Sequence, residues 1–291
     1  MTLFPLPKSG GNPQGLARGS DGNLWFADAS FDNVVGRITP QGVVTEFHTP
    51  TPNSQPMSIV AGPDGNLWFT EFAANRVGRI TPAGVVTEFP IPTANSQPQQ
   101  GLTVGPDGAI WFSERNAGQL GRITTGGQVT EFPAGSSQPV DIVASPDGSL
   151  WYLAQQAVLR RTPAGTVAGF GVPLGYSASG LGVDSRGNIW DGELKVEDVP
   201  GERALLVRRS PEGDVKTFLL HNPGGISSII EGPDGAIWFA EPTYDRIGRL
   251  APDGTITEIA APSPMTLAVG PDGNIWFTTG PNNQIGRLHI R

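Results

Sequence analysis

Apolar residues along this chain fall into short runs, each cut off by Gly, Pro, Asp or Asn, and the runs recur in sets of four. The set is fullest in QPMSIVAGPDGNLWFTEFAANRVGRITPAGVVTEFPIP, where SIVA, NLWFT, RVGRI and VVTEF are separated by turn residues. Runs this short, rich in β-branched and aromatic residues and bounded by turn chemistry, predict β-strands. We label them A to D. Asp64-Gly65 between A and B, and Ala83-Gly84 between C and D, supply the turns of two tight hairpins, which places both turns on one face.

Strand B carries a Trp in every set, at positions 25, 68, 111, 151, 190, 238 and 276. Intervals of about 40 residues with four strands each are the signature of propeller blades. The last set stops after strand C at IGRLHIR, while the chain begins with TLFPLP, which resembles strand D. The expected fold is therefore all-β: a seven-bladed β-propeller of four-stranded antiparallel blades, a single domain over residues 1–291, closed by the N-terminal strand so that no sheet edge is left open. Centring the second hairpin on its turn pairs Arg79 with Glu88, and likewise Arg37 with Glu46, Arg122 with Glu131 and Arg249 with Glu258. The GR motif then reads as scaffold, held by cross-strand ion pairs.

Forty Gly and 28 Pro agree with many tight turns. With no Cys there is neither a disulfide framework nor a thiolate metal site. A net charge of −8 opposes a general nucleic-acid role, which needs a basic face. No segment is long and apolar enough to span a bilayer, and MTLFPLPKSGG does not open like a signal peptide. The expectation is a cytoplasmic, monomeric protein with no membrane or nucleic-acid partner.

Candidate chemistry lies where strand A starts and strand B ends, on the face opposite the tight turns. Two positions per blade should collect at the channel mouth there. Three residues after each Trp stand Asp28, Glu71, Glu114, Ala154, Glu193, Glu241 and Thr279; eleven before stand Gln14, Met57, Gln100, Val140, Ser179, Ser227 and Met265. Asp141 is expected to face Ala154 and replace the acid missing from blade 4. The mouth is thus expected to be acidic all round, with Gln14 and Gln100 as further ligand-binding candidates, and converging carboxylates of this kind suit a hard divalent cation. The B–C connection of blade 5, ELKVEDVPGERALL, is long and charged, a solvated loop or a partial lid. His48, His221 and His289 fall on outer strands, away from the mouth. No P-loop, Ser nucleophile elbow or HExxH pattern occurs.

LWFTE, NRVGRIT, GVVTEFPIPT and the Gln-Pro before strand A together resemble the virginiamycin B lyase family over essentially the whole chain. The resemblance implies the propeller fold and, for active members, Mg²⁺-assisted opening of streptogramin B rings by elimination. It implies a catalytic His after the Pro that precedes strand A of blade 7, and metal-binding Glu residues at the ends of strand B in blades 6 and 7. In this chain those positions hold Met265, Glu241 and Thr279 or Gly280, so only Glu241 is retained as a candidate Mg²⁺ ligand. A Met thioether cannot act as general acid or base. Two readings follow: a lyase-like enzyme with another acid–base pair, or a non-catalytic propeller that holds a small polar, cyclic or peptide-like ligand, or a protein, at the channel mouth.

Overall fold

The computed structural model describes every residue except 8–9, 136–137, 155–156, 174, 196–203, 223 and 291. Seven four-stranded antiparallel sheets follow one another along the chain, with almost no helix. They span 13–48, 56–90, 98–133, 139–171, 176–219, 228–260 and 267–288, which we call blades 1 to 7. Blade 7 takes its fourth strand from the other end of the chain, Thr2–Pro5, with Phe4 opposite Ile285. The A strands of successive blades pack against one another around the ring and enclose the axis. No helix among the described residues is long and apolar enough to cross a membrane.

The Trp of strand B explains the repeat. In blade 2 the Trp68 ring stacks on Phe89 of strand D, their centroids 5.5 Å apart, and the Arg79 guanidinium lies 5.6 Å from the indole on the same sheet. The indole N–H donates to Asp64 in the A–B turn at 3.1 Å, so the aromatic core is tied to the turn that precedes it. Burial works against the Asp64 carboxylate, but N–H donors from Asn66 and Trp68 outweigh it and hold the group below its usual range. The same stack recurs in blade 7 between Phe4 and Trp276, at 5.3 Å, so the N-terminal strand supplies both the missing hydrogen bonds and the missing ring.

The expected Arg–Glu pairs do not form. Arg79 stands opposite Thr87 and Glu88 opposite Gly78, and the other three blades repeat this register: Arg37 meets Thr45, Arg122 meets Thr130, and Arg249 meets Thr257. The cause is the turn. Thr81 and Val85 close a three-residue loop with Gly84 left-handed at φ +89°, instead of a two-residue one. A one-residue change of register moves each side chain to the other face of the sheet. The arginines instead reach the turn aspartates, as in Arg249–Asp234 at 2.7 Å and Arg287–Asp272 at 3.4 Å. The Gly of GR has its own reason: a Cβ on Gly78 would lie 2.1 Å from the Phe69 ring.

Blades 4 and 5 depart from the pattern in a coupled way. Where blade 2 sets Phe69 opposite Gly78, blade 4 sets Tyr152 opposite Leu159, and blade 5 sets Asp191 opposite Val207. Arg209, at the place of Ile80, then bonds Asp191 at 2.9 Å and Glu193 at 2.9 Å inside the sheet.

Candidate functional site

Where strand A begins, residues from all seven blades line a cavity of about 120 Å³ on the axis, among them Gln14, Met57, Gln100, Asp141, Ser227 and Met265. A void of this size holds a few waters, well short of the 300–1,000 Å³ typical of pockets that enclose a drug-sized molecule. A larger ligand would have to rest on the mouth. The wall is stitched from blade to blade: Thr70 donates to the Gln99 carbonyl at 2.8 Å, Ser113 to Val140 at 2.6 Å, Ser227 to Met265 at 2.6 Å and Thr278 to Gln14 at 2.9 Å.

Of the sequence candidates, Gln14, Gln100 and Asp141 meet at this cavity. Asp141 does not face Ala154, because a bulge in strand A sets Pro139 there instead. Its carboxylate accepts the Ile142 amide at 2.9 Å and, across the blade boundary, the Leu181 amide at 2.9 Å. Burial lifts its pKa to about 7 against the pull of those two amides. It is the one titratable group on the cavity wall, and both its oxygens are occupied.

The carboxylates at the ends of strands B are elsewhere, and the mouth is not an acidic ring. Glu71, Glu114 and Glu241 are wholly buried, Glu193 is 2% exposed and Asp28 5%. Strand B is one strand removed from the axis, and its side chains point into the faces between blades. Asp28 accepts the Asn12 amide at 2.8 Å and the Ser30 amide at 2.9 Å, a local turn bond. Glu71, Glu114 and Glu241 sit beside the strand D glutamates Glu88, Glu131 and Glu258 of the same sheets. Burial first, and then the neighbouring carboxylate, raise Glu71 and Glu114 to about 8 and Glu241 to about 7, the last held back by Arg246. Their oxygens have no hydrogen-bond partner of normal geometry. At neutral pH these buried groups are therefore protonated to a greater extent than exposed carboxylates and present less charge. Glu193 is likewise raised to about 7, by burial and by Asp191, with Arg209 opposing.

A metal of the kind the resemblance implies would have Glu241 as its ligand. The donor set around Glu241 does not suit one: its carboxylate neighbour Glu258 is already bonded to His221 and Asn222, and no group of three metal-ligating side chains occurs among the described residues. Thr279, in blade 7, spends its hydroxyl on Gln284, giving to the carbonyl and taking from the amide at 3.0 Å each. The three His stay at the periphery, as the strand assignment implied: His48 meets the Asp32 carbonyl, His221 meets Glu258, and His289 meets Thr2. Most of the charged blade 5 connection, residues 196–203, lies outside the described residues. Met57, Ser227 and Met265 line the cavity beside Gln14 and Gln100. Their shared spacing before the Trp was the signal for them; residue chemistry alone favoured the acids.

Fold and site together define a seven-bladed propeller with a narrow, polar, blade-stitched channel whose wall carries, among the described residues, Asp141 as its one titratable group. Residues 1–199 and 191–291 match the model of the virginiamycin B lyase family. The chain belongs to that family. A virginiamycin B lyase of Nocardia farcinica is 34% identical over 131 residues, a stretch covering 44% of this chain and 43% of that protein. Over the whole chain, a streptogramin B lyase structure superposes with a TM-score of 0.89 at 27% identity and 97% coverage of its own length. A catalytically inactive histidine-to-alanine variant of the Staphylococcus aureus virginiamycin B lyase, solved with quinupristin, superposes with a TM-score of 0.88 at 28% identity, covering 100% of this chain and 99% of that one.

Proposed function

We propose that this member of the family is a ligand-binding propeller that holds a small polar or cyclic, peptide-like molecule on the channel mouth without opening it. The observation that carries this reading is Met265. It lines the cavity at the position where the family resemblance implies the catalytic His, and Asp141, the one titratable group on that wall, has both oxygens committed to amides. Elimination needs a base to take a proton and an acid to return one, and neither is free here. The wall offers amide and hydroxyl groups from Gln14, Gln100 and Ser227, with two thioethers, a lining suited to peptide bonds and apolar side chains.

Quinupristin with Mg²⁺ tests the reading. Of the three methionines, Met57 and Met265 line the cavity and Met1 does not, so methyl-labelled Met gives two reporters and an internal control. Expected are saturable shifts of Met57 and Met265, an unmoved Met1, and no linear product by mass spectrometry. Linear product at turnover rates would make the protein a lyase with another base. An absence of shifts would remove this class of ligand.

A further inference from the structure

We infer a second ligand site on the opposite, tight-turn face, between blades 4 and 5, built for a small aromatic carboxylate. The cavity there measures about 440 Å³, several times the axial one, and lies within the range of pockets that enclose small molecules. Its floor is the stacked pair Trp151 and Phe170, with centroids 5.0 Å apart, and Pro146, Ile189, Pro211 and Val215 form apolar sides.

The cleft lacks the contact that seals three of its counterparts, as does the one bounded by Gly254 of blade 6. Where blade 1 meets blade 2, the left-handed Gly84 of the C–D turn sits against Phe47 so closely that a Cβ would lie 2.2 Å from the ring, and Arg37 donates to the Pro82 carbonyl of that same turn. Gly42 on Phe4 and Gly127 on Phe89 repeat the seal. Gly213, the corresponding glycine of blade 5, has nothing within 4 Å of where its Cβ would be. Arg160 turns back to Asp147 and Ser149 of its own blade instead of crossing to blade 5.

Two unmet polar groups point to the ligand. In the six other blades the Trp indole N–H donates to an aspartate; that of Trp151, a residue 7% exposed, has no partner, since Asp147 is drawn to Arg160, Ser145 and Ser149. A buried donor left unpaired is destabilising, and an incoming acceptor would relieve it. The second group is Arg186, which occupies the place held by Asp64 in blade 2, while Asp184 of the same turn takes the indole N–H of Trp190. Its guanidinium is exposed on the lip and makes no ion pair, whereas Arg160 and Arg209 are neutralised by Asp147 and by Asp191 and Glu193. An aromatic floor, a buried N–H donor and an unpaired guanidinium match a flat ring bearing a carboxylate. Glu212, on the exposed turn of the other lip, is the lining carboxylate without an ion pair, so the sign of the ligand's charge must be tested directly.

The probe is naphthalene-2-carboxylate, titrated while the indole N–H resonances are followed, with Trp151→Phe assigning the Trp151 signal. Expected is a saturable downfield shift of that signal and a Kd at least fivefold weaker in Arg186→Gln, a surface change that leaves the fold intact. The cationic analogue 2-naphthylmethylamine should bind at least fivefold more weakly than the carboxylate. No saturable shift, an unchanged Kd in Arg186→Gln, or tighter binding of the cation would each overturn the assignment. All three readouts lie on the face away from the channel mouth and are independent of what binds there.

Discussion

Folding carries Glu71 and Glu114 to a pKa of about 8 and Glu241 to about 7, through burial and the Glu88, Glu131 and Glu258 carboxylates beside them. The unfolded chain releases these protons near 4.5. Between that pH and 7–8 the native state holds more protons than the unfolded one, so stability falls as pH rises through this window. The turn aspartates Asp21, Asp64, Asp107 and Asp272 act in the opposite sense. Their folded pKa values are lowered, so the stability they add is present above 3.8 and lost as pH falls through the folded values. Maximum stability should therefore lie near pH 5, with a melting temperature lower by about 5 °C or more at pH 8.5, since ~2–4 °C accompanies each kcal/mol in a large domain. Glu71→Gln, which keeps the shape and removes the titration, should flatten part of that slope in calorimetric scans; an unchanged slope would remove Glu71 from the account. Arg209→Met should cost about 3–5 kcal/mol in chemical unfolding, because it leaves Asp191 and Glu193 buried without their cation.

Within a blade, the strands and their order were legible because Trp, the turn glycines and the apolar runs all carry the same period. What failed was a single residue of register. TPAG reads equally well as a two-residue turn or as a three-residue loop ending on a left-handed glycine, and only the second sets Arg79 opposite Thr87 and Glu88 opposite Gly78. The buried acids were misread for a related reason. Strand position alone shows which end of a blade a residue occupies, but whether Glu71 meets the axis or the next blade depends on how far strand B stands from the axis. Gly78→Ala tests the packing of strand C on strand B: with a Cβ 2.1 Å from the Phe69 ring it should cost about 1–3 kcal/mol in chemical unfolding, the range for overpacking, and an unchanged midpoint would contradict that contact.

Across the whole ring, the Thr2–Pro5 strand contributes one ladder and the Phe4 ring on Trp276, and the Arg287 guanidinium lies 5.4 Å from the Phe4 ring. Deleting residues 1–5 should lower the melting temperature sharply and expose strand C of blade 7 to association, visible as oligomers in light scattering; an unchanged melting curve would contradict the role of that ladder. The closure also sets an order of events during synthesis. Thr2 pairs with Arg287, so this strand meets its partner only after nearly everything between them has emerged from the ribosome, on the order of tens of seconds later at ordinary elongation rates. Until then the strand has no place in the ring, and six finished blades stand as an open arc with two unsealed ends. Nascent chains stalled before blade 7 should accordingly be protease-sensitive at both ends of the arc while their middle blades resist, and the Thr2–Pro5 strand would be the last to become protected although it is made before every blade of the ring it closes.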